Sequence, residues 1–116
     1  MNKALSLLGL AKKAGRTAVG GEAVSGALYQ NSARLVLTSA DAARNTLRRL
    51  SNYESVKHIS LPYSKEELGA ALGLRSCAIV AICDAGFAKA FLSAYDKQQN
   101  IEKAKQAIIH TGVSKV

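Results

Sequence analysis

No apolar run in the 116 residues approaches the roughly 18 that a membrane-spanning helix needs. The N-terminus lacks the long apolar block and small-residue cleavage site of a secretion signal, so the protein is expected to be cytoplasmic. Cysteine is scarce. Cys77 and Cys83 are the two present, and neither has a further Cys or His at zinc-ligand spacing, which argues against a disulfide framework and a zinc site. Aromatic residues make up 5% of the chain, and the aromatic-rich strand of an RNA-recognition-motif sheet is missing. Acidic residues are few, 8 against 16 basic ones, giving a formal net charge of +8. Such a field attracts polyanions, with nucleic acid or an anionic membrane surface first among them. Internal repeats, linkers and low-complexity tracts are absent. What remains, 48% apolar and 21% charged, is the composition of one small globular domain.

The charge is uneven. Residues 1–50 carry eight cations against Glu22 and Asp41, net +6, whereas residues 51–116 carry eight against six, net +2. An electrostatic footprint is therefore expected mainly from the first half.

Apolar residues at Ala4, Leu7, Leu8, Ala11 and Ala14 repeat at helical spacing and predict a helix over 2–14 closed by Gly15. Thr17-Ala18-Val19 fits a short strand. A second helix starts near Gly21, with Val24, Ala27 and Leu28 on its apolar face. Arg34 to Thr38 is short and branched enough for a buried strand, after which Ser39 or Asp41 would cap a third helix with Ala43, Leu47 and Leu50 inward and Arg44, Arg48 and Arg49 outward. Val56 to Leu61 reads as a strand stopped by Pro62. Ser64 and Glu67 form the capping box of a fourth helix that ends at Gly73. Ala78 to Cys83 is apolar without alternation, as in a strand covered on both faces. Asp84 opens a helix in which Phe87, Phe91 and Tyr95 belong to the core. Strands separated by helices predict an α/β fold, a sandwich with helices on both faces of a small sheet. One domain is expected over 1–97, with a C-terminal helical extension over 98–116.

Catalysis finds little support. His58 and His110 have no serine, cysteine or carboxylate motif that gives them a role, and read as a sheet-face histidine and a solvated one. Val19-Gly20-Gly21-Glu22 lacks the lysine and Ser/Thr of a phosphate loop. The adjacent Glu66 and Glu67 point to different faces and serve a cap and solubility. A helix beginning at two glycines does offer free backbone N–H groups and close approach. Glu22 in that first turn is favoured by the helix dipole alone, yet its carboxylate can also accept from amino groups of bases. Arg44 and Arg48, four apart on one helical face, suit successive phosphates, although a solvated helix often shows the same spacing.

In order along the chain stand Leu8-Gly9-Leu10-Ala11-Lys12-Lys13-Ala14-Gly15-Arg16, Val19-Gly20-Gly21-Glu22, Ala33-Arg34-Leu35-Val36-Leu37, Asp41-Ala42 with Asn45-Thr46, Ser64-Lys65-Glu66-Glu67-Leu68-Gly69, Leu72-Gly73 and Ala78-Ile79-Val80-Ala81-Ile82. With these strings the sequence resembles the ribosomal L-seven-Ae family of kink-turn RNA-binding proteins, in its small bacterial YlxQ/YbxF type. The resemblance implies a three-layer α-β-α sandwich with a small mixed four-stranded sheet. It also implies binding of kink-turn RNA, whose sheared G·A pairs are read by the start of the second helix while the loop before the last strand flanks nearby nucleotides. Glu22 matches the family's glutamate, Gly21 stands where archaeal members have asparagine, and Ser25 replaces a lysine that touches the RNA. Asp41 and Asn45 fall in the family motif, and Leu74, Arg75 and Ser76 fall on the RNA-flanking loop.

The expectation is a non-enzymatic, monomeric RNA-binding protein that uses no cofactor and no metal, with RNA as partner, the ribosome as a possible setting and no membrane. Glu22 and the backbone at Gly20 and Gly21 would meet base edges, with Ser25 on the same helix. Arg16, Arg44 and Arg48 would meet phosphates, and Leu74, Arg75 and Ser76 would close over an extruded nucleotide. The rival reading is a protein-interaction module that binds an acidic transcription or ribosome-assembly factor; the fold does not choose between them.

Overall fold

Two strands alternate their side chains between two cores. In β2 (Leu35–Thr38), Leu35 and Leu37 enter one core and Val36 the other; in β4 (Ile79–Ile82), Val80 and Ile82 enter the first and Ile79 and Ala81 the second. All eight residues are buried, which is why neither segment shows the polar alternation of a one-sided strand. The computed structural model describes residues 2–99. Around the two buried strands stand β1 (Thr17–Val19) and β3 (Lys57–Ser60), in the order β1-β4-β2-β3. β4 runs antiparallel to both its neighbours, and β2 pairs with β3 in parallel.

The first core lies under α1 (Lys3–Lys13), α4 (Lys65–Ala71) and α5, a helix over 85–99, with Ala4, Leu8, Leu68, Ala88 and Phe91 buried on the sheet. Each large side chain so buried contributes roughly 1.5–3 kcal/mol. The second core lies under α2 (Gly21–Tyr29), through Val24, Ala27 and Leu28. The result is the expected three-layer sandwich. The helices begin and end as their sequences dictate. Asn2 accepts from the Leu5 N–H at 3.1 Å, Asp84 from the Phe87 N–H at 2.8 Å, and Ser64 and Glu67 form both bonds of their capping box. Gly15 and Gly73 take a left-handed φ of 72° behind α1 and α4. Lys12 Nζ donates to the Leu72 carbonyl at 2.8 Å, placing a cation at the carbonyl end of α4, where the helix dipole favours it.

The third helix differs from its expected form. α3 spans Arg44–Arg48 and has Ala43 at its N-cap, with no side-chain cap; neither Ser39 nor Asp41 serves. Ser39 is buried, its N–H bonded to the Ala78 carbonyl at 2.9 Å, and Asp41 is turned towards α4. Ala43 is exposed and Leu47 is 40% exposed, because one and a half turns do not reach the sheet. Leu50, Tyr53 and Val56, after the helix, cover the second core instead. The 97/98 boundary falls inside α5, where Gln98 Oε1 accepts from the Ala4 N–H at 3.2 Å. The expected extension beyond residue 99, with His110, lies outside the described residues.

His58 sits on the edge strand, and its Nε2 meets the hydroxyl of buried Thr38 at 2.8 Å. Partial burial lowers its pKa below the ordinary 6.5, since the charged ring loses hydration. The unfolded chain then binds the extra proton, so the stabilising effect is complete above the unfolded pKa and is lost as pH falls through the lowered folded value. Urea unfolding between pH 7.5 and 5 should show stability falling towards acid, with a shallower fall in His58→Gln. An identical pH dependence in the two proteins would show that His58 does not contribute.

Candidate functional site

The pairings Val19↔Val80, Thr38↔Ile79 and Thr38↔Ser60 bring the C-terminal ends of β1, β2 and β3 and the start of β4 to one end of the sheet. Four segments meet there: Gly20 entering α2, residues 39–43 entering α3, residues 61–64 entering α4, and the 73–78 loop entering β4. Backbone bonds tie them together. The Gly20 N–H donates to the Ile79 carbonyl at 3.0 Å, and the Ala40 N–H to the Tyr63 carbonyl at 2.8 Å.

Most of the candidate residues therefore gather at one end. Gly20, Gly21, Glu22 and Ser25 belong to the start of α2, Asp41 to the loop after β2, Arg44, Asn45 and Arg48 to α3, and Leu74, Arg75 and Ser76 to the loop before β4. Arg16 is not among them. Its carbonyl accepts from the Cys83 N–H at 2.8 Å, at the other end of the sheet. The three residues of β1 lie between, a rise of about 10 Å.

Gly20 caps α2 with φ 90° and no side-chain hydrogen bond, so the backbone donors of the first turn are left open to a ligand. Glu22 is exposed in that turn. One turn further, Ser25 Oγ accepts from Arg49 Nη1 at 3.1 Å. The Arg49 guanidinium lies over Gly21, where an added Cβ would stand 2.7 Å from Nε and 2.9 Å from Cζ. Helical phasing from Arg44 and Arg48 set Arg49 outward with them. Arg49 caps that helix with φ -58° and ψ -23°, still helical, and is exposed as expected; from there its long side chain reaches across to α2. Three arginines within six residues marked the cluster, but nothing in the sequence singled out the one that crosses.

Asp41 is committed to structure, since its Oδ1 accepts from the Lys65 N–H at 2.9 Å and so joins the β2 loop to the start of α4. Arg44, Asn45 and Arg48 are exposed. The loop before β4 is held from beneath. The Leu74 N–H donates to the Gly69 carbonyl at 2.8 Å and the Cys77 N–H to the Lys65 carbonyl at 2.8 Å. Between these anchors Leu74, Arg75 and Ser76 stay exposed. Burial pushes the Cys77 thiol pKa up, which keeps it protonated and unreactive. Among the described residues no group of three or more His, Cys, Asp or Glu is placed to hold a metal ion, and no helix is long and apolar enough to cross a membrane.

The sequence model of the ribosomal protein L7Ae/L30e/S12e/Gadd45 family matches residues 2–92. The RNA-binding protein YlxQ of Bacillus subtilis (strain 168) is 33% identical over 94 residues, which cover 78% of this chain and 92% of that protein. A solved structure of a Bacillus halodurans protein with unknown function superposes with a TM-score of 0.73 at 30% identity, over 83% of this chain and 99% of the other. The Giardia lamblia 15.5kD RNA binding protein superposes with a TM-score of 0.63 at 17% identity, over 80% and 82% of the two chains. At that identity the likeness is one of fold.

Gly69 is the support of the loop. A Cβ there would stand 2.5 Å from Ser76 Cα and 2.7 Å from Ser76 N, so Gly69→Ala should force the loop away from α4. Overpacking of this kind costs about 1–3 kcal/mol, against roughly 1 kcal/mol gained in helix propensity. Chemical denaturation should show a net loss of stability, and amide exchange should quicken at residues 74–77. A more stable variant with unchanged exchange would mean that the loop yields without strain.

Proposed function

Because the chain belongs to the ribosomal protein L7Ae/L30e/S12e/Gadd45 family, we propose that it is a non-enzymatic RNA-binding protein whose target is kink-turn RNA with sheared G·A pairs. The observation that carries this reading is the gathering, at one end of the sheet, of an uncapped helix start bearing Glu22, the exposed cations of α3 and the exposed loop at 74–76. Base edges ask for donors and acceptors in fixed places, which the open N–H group at Gly21 and the carboxylate of Glu22 supply, the Gly20 N–H being spent on the Ile79 carbonyl. Phosphates ask for mobile cations at the margin, which Arg44 and Arg48 supply. Leu74, half surrounded at 38% exposure, offers an apolar flank for an unstacked base, with Arg75 and Ser76 beside it. The name of the YlxQ relative supports RNA as the partner class. We place the protein in the cytoplasm as a monomer, with ribosomal RNA among its possible targets. Arg16, at the far end of the sheet, has no part in this surface.

Two measurements test the reading. Glu22→Ala should weaken binding of a G·A-containing kink-turn by about 1–3 kcal/mol, the range of a good base contact, while leaving thermal unfolding nearly unchanged. Calorimetric titration that found equal affinity in mutant and wild type would remove the base contact.

Replacing Arg44 and Arg48 together with Gln should weaken kinked and plain RNA alike and flatten the log K against log[salt] slope by roughly one to two units. An unchanged slope would make the two arginines bystanders. Tight, salt-sensitive binding to an acidic protein with no preference among RNAs would favour the interaction-module reading instead.

A further inference from the structure

Arg49 is held in a way that an ordinary surface arginine is not. A long flexible side chain loses rotamer freedom when it is fixed, and a cation at the N-terminal end of a helix works against the helix dipole. Yet the guanidinium lies on the first turn of α2 with Nη1 bonded to Ser25 Oγ at 3.1 Å, and it approaches Gly21 so closely that a Cβ would meet Nε at 2.7 Å. The hydroxyl of Ser25 is neutral and offsets only part of these costs. The fit also needs both small residues. A Cβ at 21 would push the guanidinium off this position, and a residue at 25 without a short acceptor leaves it untethered.

Resting on the RNA-binding reading above, we propose that Arg49 is a specificity-determining residue: Gly21 and Ser25 seat its guanidinium on the turn that carries Glu22, with its free N–H groups presented to a guanine of the G·A pairs. Arginine has five N–H donors in a rigid fork, of which Ser25 takes one. Guanine presents two acceptors, O6 and N7, that the fork matches in pairs. Glu22, on the same turn, presents acceptors. A fixed donor beside a fixed acceptor discriminates base edges, whereas phosphate neutralisation needs only charge in the vicinity.

The test uses the full chain and two RNAs, a kink-turn with tandem G·A pairs and a plain duplex of equal length, titrated at one salt concentration. The proteins are wild type, Arg49→Gln, Gly21→Ala and the double variant, with melting curves to show that each is folded. Arg49→Gln should lose about tenfold or more on the kink-turn and much less on the duplex. Gly21→Ala, whose Cβ displaces the guanidinium from its seat, should show a smaller loss of the same selective kind in the wild-type background and almost none once Arg49 is already Gln. Equal losses on the two RNAs would make Arg49 a phosphate contact and overturn the proposal. So would a Gly21→Ala effect of the same size in both backgrounds, or a kink-turn preference that Arg49→Gln leaves intact. Wild-type protein with no preference for the kink-turn would overturn the proposed target as well, which separates the two failures.

Discussion

Among the described residues, β1 is attached to the rest of the sheet only through Ile79–Ile82, which pairs with Thr17–Val19 on one side and Leu35–Thr38 on the other. The same four residues divide their side chains between both cores, so one buried strand fixes the ladder and the layers together. The proposed binding surface inherits its geometry from that register. A shift of one residue in β4 would turn Val80 and Ile82 into the second core, and would also move the 73–78 loop relative to Gly20. Surface residues drawn from the start of α2, from α3 and from the loop before β4 can act together because a packed strand, and not their own flexibility, sets the distances between them.

α4 plays the matching part from below. Its first turn is closed by Ser64 and Glu67 and bonded to Asp41, and its last carbonyls receive Lys12. A helix fastened at both ends gives the loop beyond it a firm base, and the bare face at Gly69 lets the Ser76 backbone lie directly on it. The polar groups of this end of the molecule thus fall into two sets. Asp41 and Ser64 spend their hydrogen bonds inside the protein, while Glu22, Arg44, Arg48 and Arg75 stay exposed to solvent.

Much of the fold was legible because its signals are local. Capping at Ser64, glycine at 15 and 73, and the unbroken apolar run at 79–82 each act within a few residues, and each was found where its chemistry put it. α3 departs from its expected form for a reason of the same kind. Its heptad-like spacing of Ala43, Leu47 and Leu50 describes a helix long enough to face a core, and the chain abandons the helix before that face forms. In the site, the glycines, Glu22 and the loop at 74–76 could be read from their types and order. Arg49 could not. Its position depends on a contact across 28 residues of sequence with Gly21, and on the absence of a side chain there, which no periodicity reports. The separation of Arg16 from the others is likewise a matter of strand direction, visible only once β1 has been paired.

The order of the strands also has a consequence in time. β1 and β2 are made early in synthesis, but the strand that lies between them is the last of the four described to leave the ribosome. Loop closure of this length must precede any reward from the ladder. A growing chain that has already exposed its most cationic half therefore lacks the assembled end of the sheet, and gains it only when residue 82 is free to slot into place. The charge of the first half is present from the start, while the fixed arrangement of α2, α3 and the 74–76 loop arrives late.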